Sequence, residues 1–201
     1  LETFEHSRRL APVTVPVLIQ RGSYLVVDLG VAPLPCRGGL SAAYRRRKAQ
    51  REARWGKRRS GSRAAVEACL GTLKASLRGR RGVLESDRKT AYATSLRRVL
   101  GGGVAHVRHA SRGRRDWGHP LFPINHTLAQ LRDGVSRLVR RSWGASKRRE
   151  RLELHLWVWA CWRNYVRGIT NRAPRVTPAM VAGLERRPIR PAELLAWRVT
   201  G

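Results

Sequence analysis

Hydrophobic and polar positions alternate in blocks along the chain, and the blocks predict an order of elements. Val13 to Gln20 is a run of β-branched and aliphatic residues, which predicts a strand. Pro16 within it marks an edge or a bulge, because proline cannot donate to a ladder. Arg21-Gly22-Ser23 supplies a turn, and Tyr24 to Gly30 predicts a second strand that closes an antiparallel hairpin. Pro33, Pro35, Gly38 and Gly39 then impose a loop. Val66, Leu70, Leu73 and Leu77 recur at helical spacing and predict an amphipathic helix over 64–77. Val83-Leu84 followed by Glu85-Ser86-Asp87 predicts a buried strand whose carboxyl end delivers Asp87. Thr90 to Leu100 reads as a helix with Tyr92, Leu96 and Leu100 on one side. Gly101 to Gly103 closes it, and Val104 to His109 is another short strand. A long helix is predicted from Asn125 or Thr127 to about Ser142, with Leu128, Leu131, Val135, Leu138 and Val139 as its apolar stripe. A further helix over 147–166 places Leu152, Leu156, Trp159 and Tyr165 near one face, thickened by Trp157, Val158 and Trp162. Two short helical patterns follow, near 178–186 and 191–198.

A hairpin followed by helix, strand, helix, strand and long helix predicts an α/β fold, a mixed sheet flanked by helices. Ribonuclease-H-like folds have this order with one more strand before the hairpin, and Leu1 to His6 suits the end of such a strand. The expected division is an α/β unit over 1–143, its first strand largely missing, and a C-terminal helical extension over 144–201 packed on it.

Charge narrows the function. Forty-two Lys and Arg face 13 Asp and Glu, for a formal charge of +29. A folded chain this basic repels itself unless a polyanion neutralises it, so nucleic acid is the first candidate partner. An anionic membrane surface is a poorer candidate, because the basic residues are spread through the chain rather than along one amphipathic helix. No apolar run approaches the ~20 residues that span a bilayer. Glu2, Glu5, His6 and two arginines interrupt the first apolar stretch, so a cytoplasmic protein without a secretory signal is expected. The most basic block, 44–63, contains Arg45, Arg46, Arg47, Lys48, Lys57, Arg58 and Arg59, first in a charged helix and then in a loop. Arg112, Arg114 and Arg115 lie in a polar loop, Arg132, Arg137, Arg140 and Arg141 form a basic stripe on the long helix, and Lys147 follows. Trp55, Trp117 and Trp143, set among arginines, suit contact with bases. Trp157, Trp159 and Trp162, set among Leu and Val, suit a core. Cys36, Cys69 and Cys161 are far apart and form no CxxC pair, which predicts reduced, packed thiols.

Acidic residues are scarce, so each can be weighed. Asp87 ends a strand where open α/β sheets place their sites. Reaction at a phosphodiester by two metal ions needs clustered carboxylates around hard cations, and Asp87 suits one such position. The plainer reading of Asp87 is an N-cap for the helix that follows, or a turn aspartate. His106, His109, His119 and His126 are close in sequence, but no pair sits at i, i+4 beside a carboxylate, so structural or nucleic-acid roles are expected. Gly101 to Gly103 is no phosphate loop, since no Gly-Lys-Ser/Thr follows.

Several segments together resemble a known family. Pro120-Leu-Phe-Pro-Ile-Asn-His-Thr, Leu131-Arg132, Ser136-Arg137-Leu138, Arg140-Arg141-Ser-Trp143 and Ser146-Lys147 resemble the C-terminal block of bacterial and archaeal DDE transposases of the insertion-element-one type and their relatives. Leu1 to His6 resembles the segment just after that family's first catalytic Asp, which is expected upstream of Leu1. Glu85 to Tyr92 resembles the segment around its second. Arg163-Asn164-Tyr165 and Pro178-Ala179-Met180 resemble its tail. The resemblance implies a ribonuclease-H-like catalytic domain that binds the terminal inverted repeats of a mobile element. It implies that Mg²⁺ or Mn²⁺ supports cleavage and strand transfer of DNA, that Asp87 is a metal ligand, and that two copies pair as a homodimer. Better-known members carry a Glu where Asn125 stands here, ahead of Leu131-Arg132, so Asn125 takes the third catalytic position. Asp116 and Asp133 remain open as an additional acid. A truncated or inactive transposase is compatible with these departures. The reading from another class is a non-catalytic, basic nucleic-acid-binding protein, for which the charge speaks equally.

Overall fold

The computed structural model describes residues 1–112, 116–138 and 146–197. It is a mixed α/β protein. Five short strands come first: β1 (Glu2–Phe4), β2 (Pro12–Thr14), β3 (Val17–Ile19), β4 (Val26–Leu29) and β5 (Ala32–Pro33). Two helices, α1 (Ala42–Trp55) and α2 (Ser62–Leu77), lead to β6 (Gly82–Asp87), α3 (Thr90–Leu100) and β7 (Val104–His109). Then come α4 (Phe122–Gly134), a 3₁₀ turn (Ser136–Leu138), α5 (Arg149–Tyr165), α6 (Pro178–Val181) and α7 (Pro191–Leu195).

The strand predicted over 13–20 is divided at Pro16. Before it, β2 pairs antiparallel with β1 and with β5; after it, β3 pairs antiparallel with β4. Pro16 has no N–H to give, and its carbonyl accepts instead from Gly30 N at 3.3 Å. Val15 N donates to Leu1 O at 2.7 Å, so the chain changes partners within two residues. The expected strand ahead of the hairpin is present as β1, and the hairpin itself as β3–β4. β5 is an element that the surrounding proline and glycine residues conceal in the sequence.

The second half of the sheet pattern departs from expectation. β6 and β7 pair in parallel, with Gly82 opposite Val104 and Asp87 opposite His109. Among the described residues this pair is a sheet of its own, so three small sheets replace one continuous mixed sheet. β6 is also not buried on both faces: Val83 is 66% exposed. Leu84 and Val104 pack instead on Leu70, Leu96 and Leu100 of α2 and α3, leaving the opposite face open. The alternation of side chains along a strand explains the difference, since a two-residue apolar run cannot distinguish one covered face from two.

The helix predicted to run from Asn125 or Thr127 to about Ser142 begins earlier and ends sooner, at Gly134; residues 139–142 lie outside those described. Pro123 fits the first turn, where its missing N–H is no loss. Val135 leaves the helix with extended backbone, and Val135 and Leu138 turn into the core. Gly134 is where α4 meets α5: a Cβ built there would lie 2.5 Å from Trp159 Nε1. The main core joins Val13, Val15, Val26 and Leu29 of the strands to Leu131, Val135, Leu152, Leu156 and Trp159 of the helices. Residues of the C-terminal segment thus share one core with the strands at the chain's beginning.

A polar clamp fixes that packing. Asn164 of α5 is buried; its Oδ1 accepts from Val26 N and its Nδ2 donates to Val26 O, each at 2.9 Å. The side-chain amide thus satisfies both backbone groups of a strand residue, as a neighbouring strand would. Replacing Asn164 by Leu leaves a buried N–H and C=O unpaired at about 1–3 kcal/mol each. Asn164→Leu is therefore expected to lower stability by ~2 kcal/mol or more, read as a lower urea midpoint at unchanged slope.

Candidate functional site

Asp87 sits half-buried at the carboxyl end of β6, as the sequence suggests. Its Oδ1 accepts from Lys89 N at 3.1 Å, in the turn that starts α3. Asp87 is thus a turn aspartate rather than a helix cap: the residue that caps α3 is Lys89, with no side-chain cap bond. Lys89 Nζ lies 5.5 Å from the Tyr92 ring centroid, and the Tyr92 phenol is pushed above its ordinary pKa by burial and then by the Asp87 charge. The Leu1 amino group is held below its ordinary pKa by burial and then by the Arg132 charge, with Glu2, Lys89 and Asp87 acting more weakly. The charges of Arg132 in the last turn of α4, of Lys89 and of Asp87 thus all reach the start of β1.

Neighbouring acids are already engaged. Glu85 Oε1 lies 2.7 Å from Arg21 Nη1 and 3.4 Å from His109 Nε2. Glu5 is 7% exposed, and its carboxylate meets Arg58 Nη2 at 2.7 Å and Arg149 Nε at 3.4 Å. Asn125 is half-buried in the first turn of α4, its N–H donating to Leu121 O at 3.0 Å. Among the described residues no three His, Cys, Asp or Glu side chains come together as metal ligands do. The histidines have other partners: His106 Nε2 is 2.8 Å from Ser86 Oγ, and His119 Nε2 is 3.2 Å from Ala110 O. His126 lies between aromatic rings, stacked on Phe122 and edge-on to Tyr24.

The basic residues divide into those that face solvent and those that are held. α1 buries none of its residues, although Ser41 caps its start. Arg45, Arg46 and Arg47 are exposed along it, while Lys48 is 3.8 Å from Glu52. At its end Arg51 and Arg54 lie over the ring of Trp55, which is 66% exposed. Lys57 and Arg59 are exposed. Arg58 is drawn inward: besides Glu5 it donates to Leu34 O at 2.9 Å and Pro12 O at 3.1 Å, tying the loop after α1 to the first sheet. Arg112, Arg132 and Lys147 are exposed and Arg137 is half-buried, while Arg114, Arg115, Arg140, Arg141 and Trp143 lie outside the described residues. Trp117 is 87% exposed, and Trp159 is packed in the core, as expected of each.

One buried cation has no counterpart in the expectations from sequence. Arg163 is fully buried in α5, four residues after Trp159 on the face that carries Leu152 and Leu156. Its place in that stripe is the available signal, masked by the surrounding Trp and Val residues. The three cysteines carry free thiols. Burial, and then the Asp28 carboxylate beside it, push the Cys69 thiol up to about 12.

No helix among the described residues is long and apolar enough to cross a membrane. No family model matches the chain, and no curated protein or solved structure matches it either.

Because Cys69 holds its proton more tightly folded than unfolded, its contribution to stability is complete below the ordinary thiol pKa of 9.0 and is lost as pH rises toward about 12. The loss amounts to ~1.4 kcal/mol per pH unit in that window. Urea midpoints measured for the natural chain and for Cys69→Ala at neutral and alkaline pH are expected to fall more steeply for the natural chain.

Proposed function

We propose that this chain is the ribonuclease-H-like catalytic domain of a DDE transposase of the insertion-element-one type, acting on DNA at insertion-sequence ends. The observation that carries the reading is the position of Asp87. It is a carboxylate at the carboxyl end of a parallel strand, in a chain of net charge +29. Pairing of two copies across two DNA ends belongs to the same reading.

Mg²⁺ or Mn²⁺, which the resemblance implies, finds one carboxylate here in Asp87. Asn125 offers only an amide oxygen, and Asp116 and Asp133 do not join Asp87 in a group of three ligands among the described residues. These side chains do not by themselves fit a two-metal centre. What they are accompanied by is a surface suited to DNA. The arginines of α1 neutralise backbone phosphates, and Trp55 and Trp117 offer rings on which unpaired bases stack. That exposed basic and aromatic surface supports a second reading, a nucleic-acid-binding protein without turnover.

Two measurements separate them. With Mg²⁺ and a duplex carrying the element's ends, the transposase reading expects nicking that Asp87→Asn abolishes while DNA affinity is kept. Nicking unchanged in Asp87→Asn removes Asp87 from the chemistry, and salt-sensitive binding with no nicking supports the second reading. Replacing Arg45, Arg46, Arg47 and Lys48 together by Gln is expected to reduce the slope of log affinity against log salt by about 0.9 for each duplex phosphate left without its cation. A slope equal to that of the natural chain would take α1 out of the interface.

A further inference from the structure

Behind the loop that follows α5 lies a cavity of about 190 Å³. Its walls are His126 and Gln130 of α4, Arg167, and the turn over 168–171. The turn is held tightly. Ile169 N donates to Val176 O at 2.8 Å, Thr170 and Ala173 form a bridge, and a Cβ on Gly168 would lie 2.5 Å from Pro174 O. Only glycine lets the two arms of the loop approach so closely, so the cavity wall is built rather than incidental.

Arg163 stands directly behind this wall. Its Nε donates to Gln130 Oε1 at 2.8 Å and its Nη2 to Ile169 O at 3.4 Å, and both partners line the cavity. Both are neutral. Its Nη1 is buried and has no partner, and no carboxylate pairs with Arg163 or Arg167 among the described residues. Burial, and then the positive charge of Arg167, lower the Arg163 pKa to about 10, so the guanidinium remains charged at neutral pH. Arg167 is fixed in turn by stacking at 5.1 Å over the Trp162 ring. Arg167 thus lines this small polar cavity while Arg163 is bonded to two of its wall residues, and no carboxylate answers either among the described residues. A buried cation in this state is costly until a nearby anion answers its charge, and the exposed donors of Arg167 offer such an anion a place. A phosphoryl group matches the planar donor fork of arginine and fits the space, which is too small for a drug-sized ligand.

We propose that the cavity between α4 and the 168–171 turn is a phosphoryl-binding site, in which Arg167 meets the anion and Arg163 supplies the buried charge behind it. The site is independent of the transposase reading. It serves a phosphodiester of a nucleic-acid strand or a free phosphate ion by the same chemistry.

The test is thermal unfolding of the full chain in potassium phosphate against potassium chloride at equal ionic strength. The melting temperature is expected to rise with phosphate and saturate, as binding to one site on the folded state requires. Arg97→Gln, at an exposed position of α3, controls for general charge and is expected to keep the phosphate increment. Arg167→Gln should lose it. Gln130→Glu sets a carboxylate against Arg163 Nε; it should raise the melting temperature in chloride and remove the increment. Equal increments in all four proteins, or none in the natural chain, overturn the proposal. A short oligothymidine then distinguishes the source. An increment that it suppresses assigns the phosphoryl group to a strand, one that persists assigns it to the free ion, and both uphold the site.

Discussion

The seam between α5 and the first hairpin is the constraint on which the rest of the structure rests. Leu152, Leu156 and Trp159 cover the inner faces of β2 and β4, and Asn164 completes the cover by pairing with both backbone groups of Val26. Short strands cannot satisfy themselves when they sit at an edge, and here the missing neighbour is a helix side chain. With the seam in place, α4 is held by Trp159 at Gly134.

Charge is distributed in two ways that have opposite consequences. Arg58 is brought inside with its own counter-ion, Glu5, and with two carbonyls, so it acts as a structural tie. Arg163 is brought inside with neutral partners only, so its charge is left for something else to answer. Around both, α1 and the loop after it hold arginines that no core residue secures. A helix polar on every side gains little from packing, and its run of like charges opposes it. A polyanion would relieve that opposition.

Much of the local structure is legible in the sequence because it follows from periodicity and turn chemistry. The helices at α2, α3 and α5 stand where Leu and Val recur at helical spacing, and the division at Pro16 follows from its missing N–H. What is not legible depends on distant partners. Nothing near Val83 shows that one face of β6 stays open. The early end of α4 comes from the pull of the core on Val135 and Leu138 rather than from a strong stop signal. For the site, the place of Asp87 is readable from its strand, whereas the engagement of Glu85 and Glu5 by arginines is not, since those partners lie far along the chain. Arg163 is hidden for the opposite reason: it follows the apolar stripe so closely that its neighbours disguise it.

The contact between Gly134 and Trp159 has a consequence for how this sequence is free to change. The indole occupies the volume that any side chain at position 134 would need. The two residues therefore share one allotment of space, and position 134 cannot gain a side chain until position 159 gives way. A lineage that placed alanine at 134 would have to shrink 159 in step, and then refill the hole left beside Val15 and Leu131. The helix crossing thus behaves as a lock with two pins, which ties the evolution of the segment around Asn125 to that of the segment around Asn164.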